Sequence, residues 1–100
     1  QPAIVELSAD WCISCKVMER DILNQPVVRS AGLDDLMRIQ LDVTDNTPAQ
    51  RAWMTEQQLF GPPAFLFFDG QGREITDLRI QGEVSREVFL QHLQRAIGAR

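Results

Sequence analysis

The sequence AIVELSADWCISCK, residues 3–16, joins an apolar segment to two cysteines that are separated by two residues. Apolar side chains surround a single acid, Glu6, within residues 3–8, and this pattern predicts a short strand. Beyond Cys15 the apolar residues recur at helical spacing, which predicts a helix. The two cysteines therefore lie where a strand leads into the first turn of a helix.

Three interpretations of the cysteine pair compete. A zinc site needs about four ligands, and the only other soft candidate, His92, lies far away near the C-terminus. A purely structural disulfide between Cys12 and Cys15 would close a loop of about four residues, which stabilises a fold by only about 2 kcal/mol. A redox-active dithiol is the favoured interpretation.

The spacing of the two cysteines suits this chemistry. Residues i and i+3 lie on one face of a helix, so two thiols can close a disulfide there with little backbone movement. The unpaired N–H groups and the dipole at a helix N-terminus favour an anion, which lowers the pKa of a thiol. We expect Cys12 to be the exposed attacking thiolate and Cys15 to be the shielded, resolving thiol.

The rest of the chain predicts an α/β protein with the element order β-α-β-α-β-β-α and a mixed four-stranded sheet flanked by helices. Pro26 interrupts the first helix, with Asn24 as a candidate cap, and Gly32 ends it. Thr47 and Ser85 are predicted N-caps of the later helices, of which the first extends to about Gln58. The predicted strands are residues 3–8, 37–43, 64–68 and 74–81.

Composition sets broad limits on the function. The 100 residues, 44% hydrophobic with a net charge of -4, fit a single domain over residues 1–100. The cations are scattered, which argues against a nucleic acid or an anionic membrane surface as the partner. Because the chain starts at Gln1 without a signal peptide, we expect it to be one domain of a longer protein. We expect the isolated domain to be soluble and monomeric.

The motif and its surroundings resemble the thioredoxin family: a strand runs into Trp-Cys-x-x-Cys-Lys, and Gly-x-Pro precedes an apolar strand. The segments ADWCISCK (9–16), QLDVT (40–44) and FFDGQG (67–72) are similar to the C-terminal periplasmic domain of the DsbD family. The resemblance implies a thioredoxin fold and electron relay from a membrane-embedded domain to a periplasmic partner domain, on the periplasmic side of the bacterial inner membrane. It implies no cofactor, because the dithiol carries both electrons.

The resemblance also suggests roles for individual residues. Glu6 occupies the place of a buried acid, usually Asp, that exchanges a proton with Cys15; an acid turned to solvent is the alternative. Glu19 matches an acid taken to raise the pKa of the attacking thiol, although it could be a solvated helix charge. Trp11 is expected to flank the site and to shape the docking surface, with a core position as the alternative.

Pro63 matches the cis-proline of the family, and its neighbour Pro62 departs from the family pattern. A substrate strand pairs with the backbone before the cis-proline, but Pro62 has a carbonyl and no N–H to offer. No metal site is expected. A free-standing thioredoxin-like reductase and a redox-inert binding module with the same fold remain as alternative functions.

Overall fold

The computed structural model describes residues 1–98 and is built around one mixed sheet. Its strands lie in the order β2-β1-β3-β4, with β1 and β2 parallel and the other neighbours antiparallel. The parallel pair requires a crossover connection, which the intervening helices provide. The strands are β1 (Ala3–Ser8), β2 (Met37–Asp42), β3 (Ala64–Phe68) and β4 (Ile80–Gln81). The predicted α/β class and the mixed four-stranded sheet are confirmed.

The first helix begins directly after Cys12. It runs as α1 (Ile13–Met18), continues through a π-helical turn over Glu19–Leu23, and is followed by α2 (Pro26–Ser30). Proline interrupts the helix as predicted. Asn24 is a cap, but of the preceding turn: it is the C-cap of the π-helical turn, and its backbone N–H donates to the Glu19 carbonyl at 2.9 Å. The N-cap of α2 is Gln25.

The two later helices, α3 (Pro48–Glu56) and α4 (Arg86–Gly98), begin at the predicted caps. Thr47 Oγ1 accepts the Gln50 N–H at 3.1 Å, and the Gln50 side chain accepts the Thr47 N–H at 2.9 Å. The first of the two ends earlier than predicted, because Gln58 takes a left-handed backbone with φ of 60°. Within residues 1–98, no helix has the length and apolar character that crossing a membrane requires.

The sheet separates two apolar clusters, because alternate residues of a strand face opposite sides. Ile4, Phe65 and Phe67 pack with the helices α1 and α4, where the rings of Phe65 and Phe89 meet edge to face at 5.5 Å. The opposite face forms a second cluster that contains both cysteines. Glu6 lies two residues after Ile4 in β1, so its side chain points to the same face of the sheet, the face covered by α1 and α4.

The last predicted strand, residues 74–81, is much shorter in the structure. Glu74 forms an isolated bridge with Phe68, a 3₁₀ turn covers Thr76–Leu78, and only Ile80–Gln81 pair as a strand. A continuous strand would point Ile75 away from Leu78 and Ile80. The turn instead lets all three side chains pack into the same cluster.

Candidate active site

A disulfide between Cys12 and Cys15 stands at the first turn of α1, with the two Cα atoms 5.2 Å apart. Cys12 is the N-cap residue, and its Sγ accepts the backbone N–H of Cys15 at 3.1 Å. An N–H group aimed at this sulfur stabilises negative charge there once the disulfide is reduced. The backbone therefore favours Cys12 as the thiolate of the pair.

The exposure of the two cysteines differs from the prediction. Cys12 is 5% exposed and Cys15 is 4% exposed, so the expectation of an exposed Cys12 is wrong for this disulfide form. The Cys12 sulfur accepts the Cys15 N–H in the first helical turn, and Cys12 packs within the second apolar cluster. The neighbouring side chains project outwards instead, with Trp11 55% and Ile13 78% exposed.

The loop after β2 anchors the segment before the cysteines. The indole Nε1–H of Trp11 donates to the Thr44 carbonyl at 2.9 Å, and the Asp10 N–H donates to Thr44 Oγ1 at 2.8 Å. The exposed Trp11 ring is thus fixed beside the disulfide. No local sequence pattern signals this anchoring role of Thr44.

The segment with Pro63 lies next to the cysteines. The Pro62–Pro63 peptide bond is cis, and Ala64, the next residue, packs in the same cluster as both cysteines. The Pro63 carbonyl accepts the Gly82 N–H at 2.9 Å. Just before this segment, Phe60 is 91% exposed and donates its N–H to the side chain of Gln81 at 3.0 Å.

Glu6 is the one buried charged residue among residues 1–98, with 7% of its surface exposed. Its Oε2 atom accepts no hydrogen bond from the described chain. Burial raises the pKa of Glu6 from 4.5 to about 7, the nearby charge of Glu19 raises it as well, and Arg38 acts in the opposite direction. At neutral pH this carboxyl group is therefore close to half protonated, and it can both accept and donate a proton.

A cavity of about 220 Å³ brings Glu6 and Glu19 together, and Arg38 and Gln40 also line it. Glu19 lies four residues after Cys15, about one helical turn away. Within residues 1–98 the side chain of neither acid is hydrogen-bonded to a cysteine, although the backbone N–H of Glu19 donates to the Cys15 carbonyl. The structure thus groups the two predicted acids with each other, one turn behind the disulfide.

A further residue near the cysteines has no counterpart in the sequence analysis. The Ser14 hydroxyl donates to Glu83 Oε2 at 2.6 Å, and Glu83 lies in the loop between β4 and α4. A contact between residues 69 positions apart leaves no mark in local sequence patterns.

Comparison with known proteins places this arrangement in a family. A model of the thioredoxin-like domain matches residues 1–97. The oxidised C-terminal domain of Neisseria meningitidis DsbD superposes with a TM-score of 0.79 at 35% identity, covering 96% of this chain and 80% of that one. The chain belongs to the thioredoxin-like family of DsbD C-terminal domains.

Longer relatives of this DsbD-type domain support the same family assignment. Thiol:disulfide interchange protein DsbD 1 of Pseudomonas aeruginosa is 44% identical over 96 residues, and DsbD of Ralstonia nicotianae is 43% identical over 98 residues. These matches cover 96% and 98% of this chain but only 16% of each relative. A thioredoxin from Thermus thermophilus, at 21% identity and a TM-score of 0.77, shares the fold.

Proposed function

We propose that this domain relays electrons by dithiol–disulfide exchange, from a membrane-embedded domain to a periplasmic partner domain of the same longer protein. This places it on the periplasmic side of the bacterial inner membrane. The observation that carries the proposal is the Cys12–Cys15 disulfide at the start of α1, packed in one cluster with Ala64, the residue after the cis Pro62–Pro63 bond. The names of the relatives, thiol:disulfide interchange proteins, support the same chemistry.

The exchange proceeds in two displacements. In the reduced domain, the Cys12 thiolate attacks one sulfur of the partner's disulfide, forming a mixed disulfide while the partner's other sulfur leaves as a thiolate and takes up a proton. The Cys15 thiol then loses its proton and attacks Cys12 Sγ, which releases the partner's second thiol. Two electrons pass to the partner, whose two thiolates take up one proton that balances the proton lost by Cys15 and one proton from water, because Cys12 reacts as a thiolate. The domain is left with the disulfide seen in the structure.

Glu6 is the proposed acceptor of the Cys15 proton. Its pKa of about 7 suits proton exchange near neutral pH, where a carboxyl group of ordinary pKa would be a weak base. Glu19 has two effects in this scheme. It helps to keep the pKa of Glu6 high, and its negative charge one turn from Cys15 opposes thiolate formation at the helix start.

The surface around the disulfide supplies the docking contacts. Trp11, Ile13 and Phe60 are exposed apolar side chains on the segments that carry the cysteines and the Pro62–Pro63 bond. The Pro62 carbonyl accepts no hydrogen bond from the described chain, so it can accept one from an extended partner segment. Pro62 has no N–H to donate, so this position contributes one backbone bond where the family commonly contributes two.

Trapping of the mixed disulfide tests the relay. In Cys15→Ala the first displacement still occurs and the second cannot, so a covalent complex with the partner accumulates. Cys12→Ala is the matched control and accumulates none. Capture of the periplasmic domain of the parent protein from detergent-solubilised membranes supports the relay, whereas capture of many unrelated proteins identifies a general reductase. A pair that alkylating reagents never find reduced at physiological potentials identifies a redox-inert module.

The role of Glu6 has its own kinetic test. Glu6→Gln keeps the shape of the side chain and removes its ability to take a proton, so the release of partner should slow more than the initial attack. Stopped-flow fluorescence resolves the two displacements. Equal slowing of both steps refutes a proton transfer that is specific to Cys15.

A further inference from the structure

The loop between β4 and α4 reaches back to the dithiol motif through one side-chain pair. The Ser14 hydroxyl donates to Glu83 Oε2 at 2.6 Å, a length typical of a hydroxyl bound to a carboxylate. The preceding residue, Gly82, donates its N–H to the Pro63 carbonyl at 2.9 Å. The Glu83 carboxylate is therefore fixed between the segment that carries the cysteines and the segment that carries Pro63.

Glu83 keeps most of its binding capacity in this position. Its side chain is exposed, and within residues 1–98 no Lys or Arg forms a salt bridge with it. A carboxylate has about four lone-pair sites, and the neutral Ser14 hydroxyl uses one without cancelling the charge. Next to the cysteines, Ile13 is 78% exposed and adds an apolar surface. The rim of the disulfide thus presents an oriented negative charge that forms no salt bridge within the described chain, although Arg86 lines the same groove as Glu83.

We propose that Glu83 selects partners that carry a Lys or Arg side chain next to their reactive disulfide. The inference rests on the proposed exchange function and specifies which charge the partner carries next to its disulfide. Ser14 lies between the two cysteines, so a partner whose sulfur approaches Cys12 brings its flanking residues over Ser14 and Glu83. An opposite charge in that place speeds encounter and stabilises the complex, whereas a like charge slows it.

A purely positioning role for Glu83 predicts a different result. If its bond to Ser14 served only to hold the motif in shape, its loss would change the reactivity of Cys12 towards every disulfide by the same factor. Recognition of a cation instead changes the order of preference among disulfides that differ only in charge. The charge of the substrate therefore separates the two roles.

Three small symmetrical disulfides provide the test: cystamine, which is cationic; hydroxyethyl disulfide, which is neutral; and dithiodiglycolate, which is anionic. The second-order rate of oxidation of the reduced domain is followed by tryptophan fluorescence. Relative to the neutral compound, Glu83→Gln should lower the rate for cystamine by about two- to fivefold and raise the rate for dithiodiglycolate, as expected for an exposed ion pair. Glu83→Lys should reverse the preference, and added salt should weaken it.

Glu87→Gln is the matched control, since it makes the same change in net charge at an exposed position on α4. Circular dichroism verifies that each variant is folded. Equal slowing towards all three disulfides, no change in any of the three rates, or the same shift in Glu87→Gln each overturn the role of Glu83. Failure of the unsubstituted domain to react with any of the three overturns the exchange function itself, so the two failures are distinguishable.

Discussion

Substitution of Glu6 by Gln should remove a pH dependence of stability that the buried acid imposes on the fold. The folded protein holds the Glu6 proton more tightly than the unfolded chain does, since folding raises the pKa from 4.5 to about 7. The resulting stability is fully present below the unfolded pKa and is lost as the pH rises through the folded pKa. The sign follows from the raised pKa of an acid, and it is opposite to that of a carboxylate in a salt bridge.

The magnitude follows from the two pKa values. A tenfold change in proton affinity corresponds to about 1.4 kcal/mol, so the full effect of Glu6 is about 3 kcal/mol. About 2 to 3 kcal/mol of this should be lost between roughly pH 5 and pH 8. Asp21, Asp42 and Asp69, whose pKa values are lowered from 3.8 by hydrogen bonds, change their protonation at lower pH, outside this window.

Urea unfolding of the oxidised protein, followed by tryptophan fluorescence at a series of pH values, measures this loss. The disulfide keeps both cysteines from titrating, so they do not contribute. Glu6→Gln should show a nearly flat stability across the window, whereas Glu56→Gln, an exposed acid of α3, should follow the unsubstituted protein. Parallel curves for the unsubstituted protein and Glu6→Gln would refute the assignment of a raised pKa to Glu6.

Three further substitutions test other contacts. Arg38→Met removes the cation that lowers the pKa of Glu6, so the stability loss in the same urea series should move to higher pH; an unchanged midpoint contradicts this. Arg79→Ala leaves Glu74 without its partner at 2.5 Å and should cost about 2 kcal/mol in free energy of unfolding, with a loss below 0.5 kcal/mol as the contrary result. Thr47→Ala removes the cap of α3 and should cost about 1 kcal/mol by urea unfolding; no change would show that the cap is dispensable.

Local sequence signals were sufficient for much of the fold. The apolar run of β3, the alternation in β2 and the proline that begins α3 each act within a few residues, where periodicity and capping are direct consequences of backbone geometry. Residues 74–81 were misjudged because local signals do not distinguish a continuous strand, which would point Ile75 away from Leu78 and Ile80, from a turn, which brings all three side chains to one core. Only the packing against α4 decides between the two.

The candidate site was predictable where its reacting residues lie within one short segment of the sequence, as the two cysteines do. The anchoring of Trp11 by Thr44 and the bond between Ser14 and Glu83 join residues 33 and 69 positions apart, so no local pattern contains them. The burial of Cys12 was missed for a related reason. The spacing of the cysteines fixes their helical face, whereas their exposure depends on how the capping sulfur turns towards the helix N-terminus.

The position of Glu6 is hard to explain by stability alone. A loss of about 3 kcal/mol above neutral pH is a large fraction of the roughly 5 to 15 kcal/mol that stabilises an ordinary domain. An apolar residue in the same strand would keep the backbone pairing with β2 and β3 and would avoid the loss. The same burial that destabilises the folded state sets the pKa at about 7, the value that allows a carboxyl group to take a proton from a thiol and to return it to water. The cost to the fold and the proposed proton exchange therefore have a single physical cause, and a substitution that removes one should remove the other.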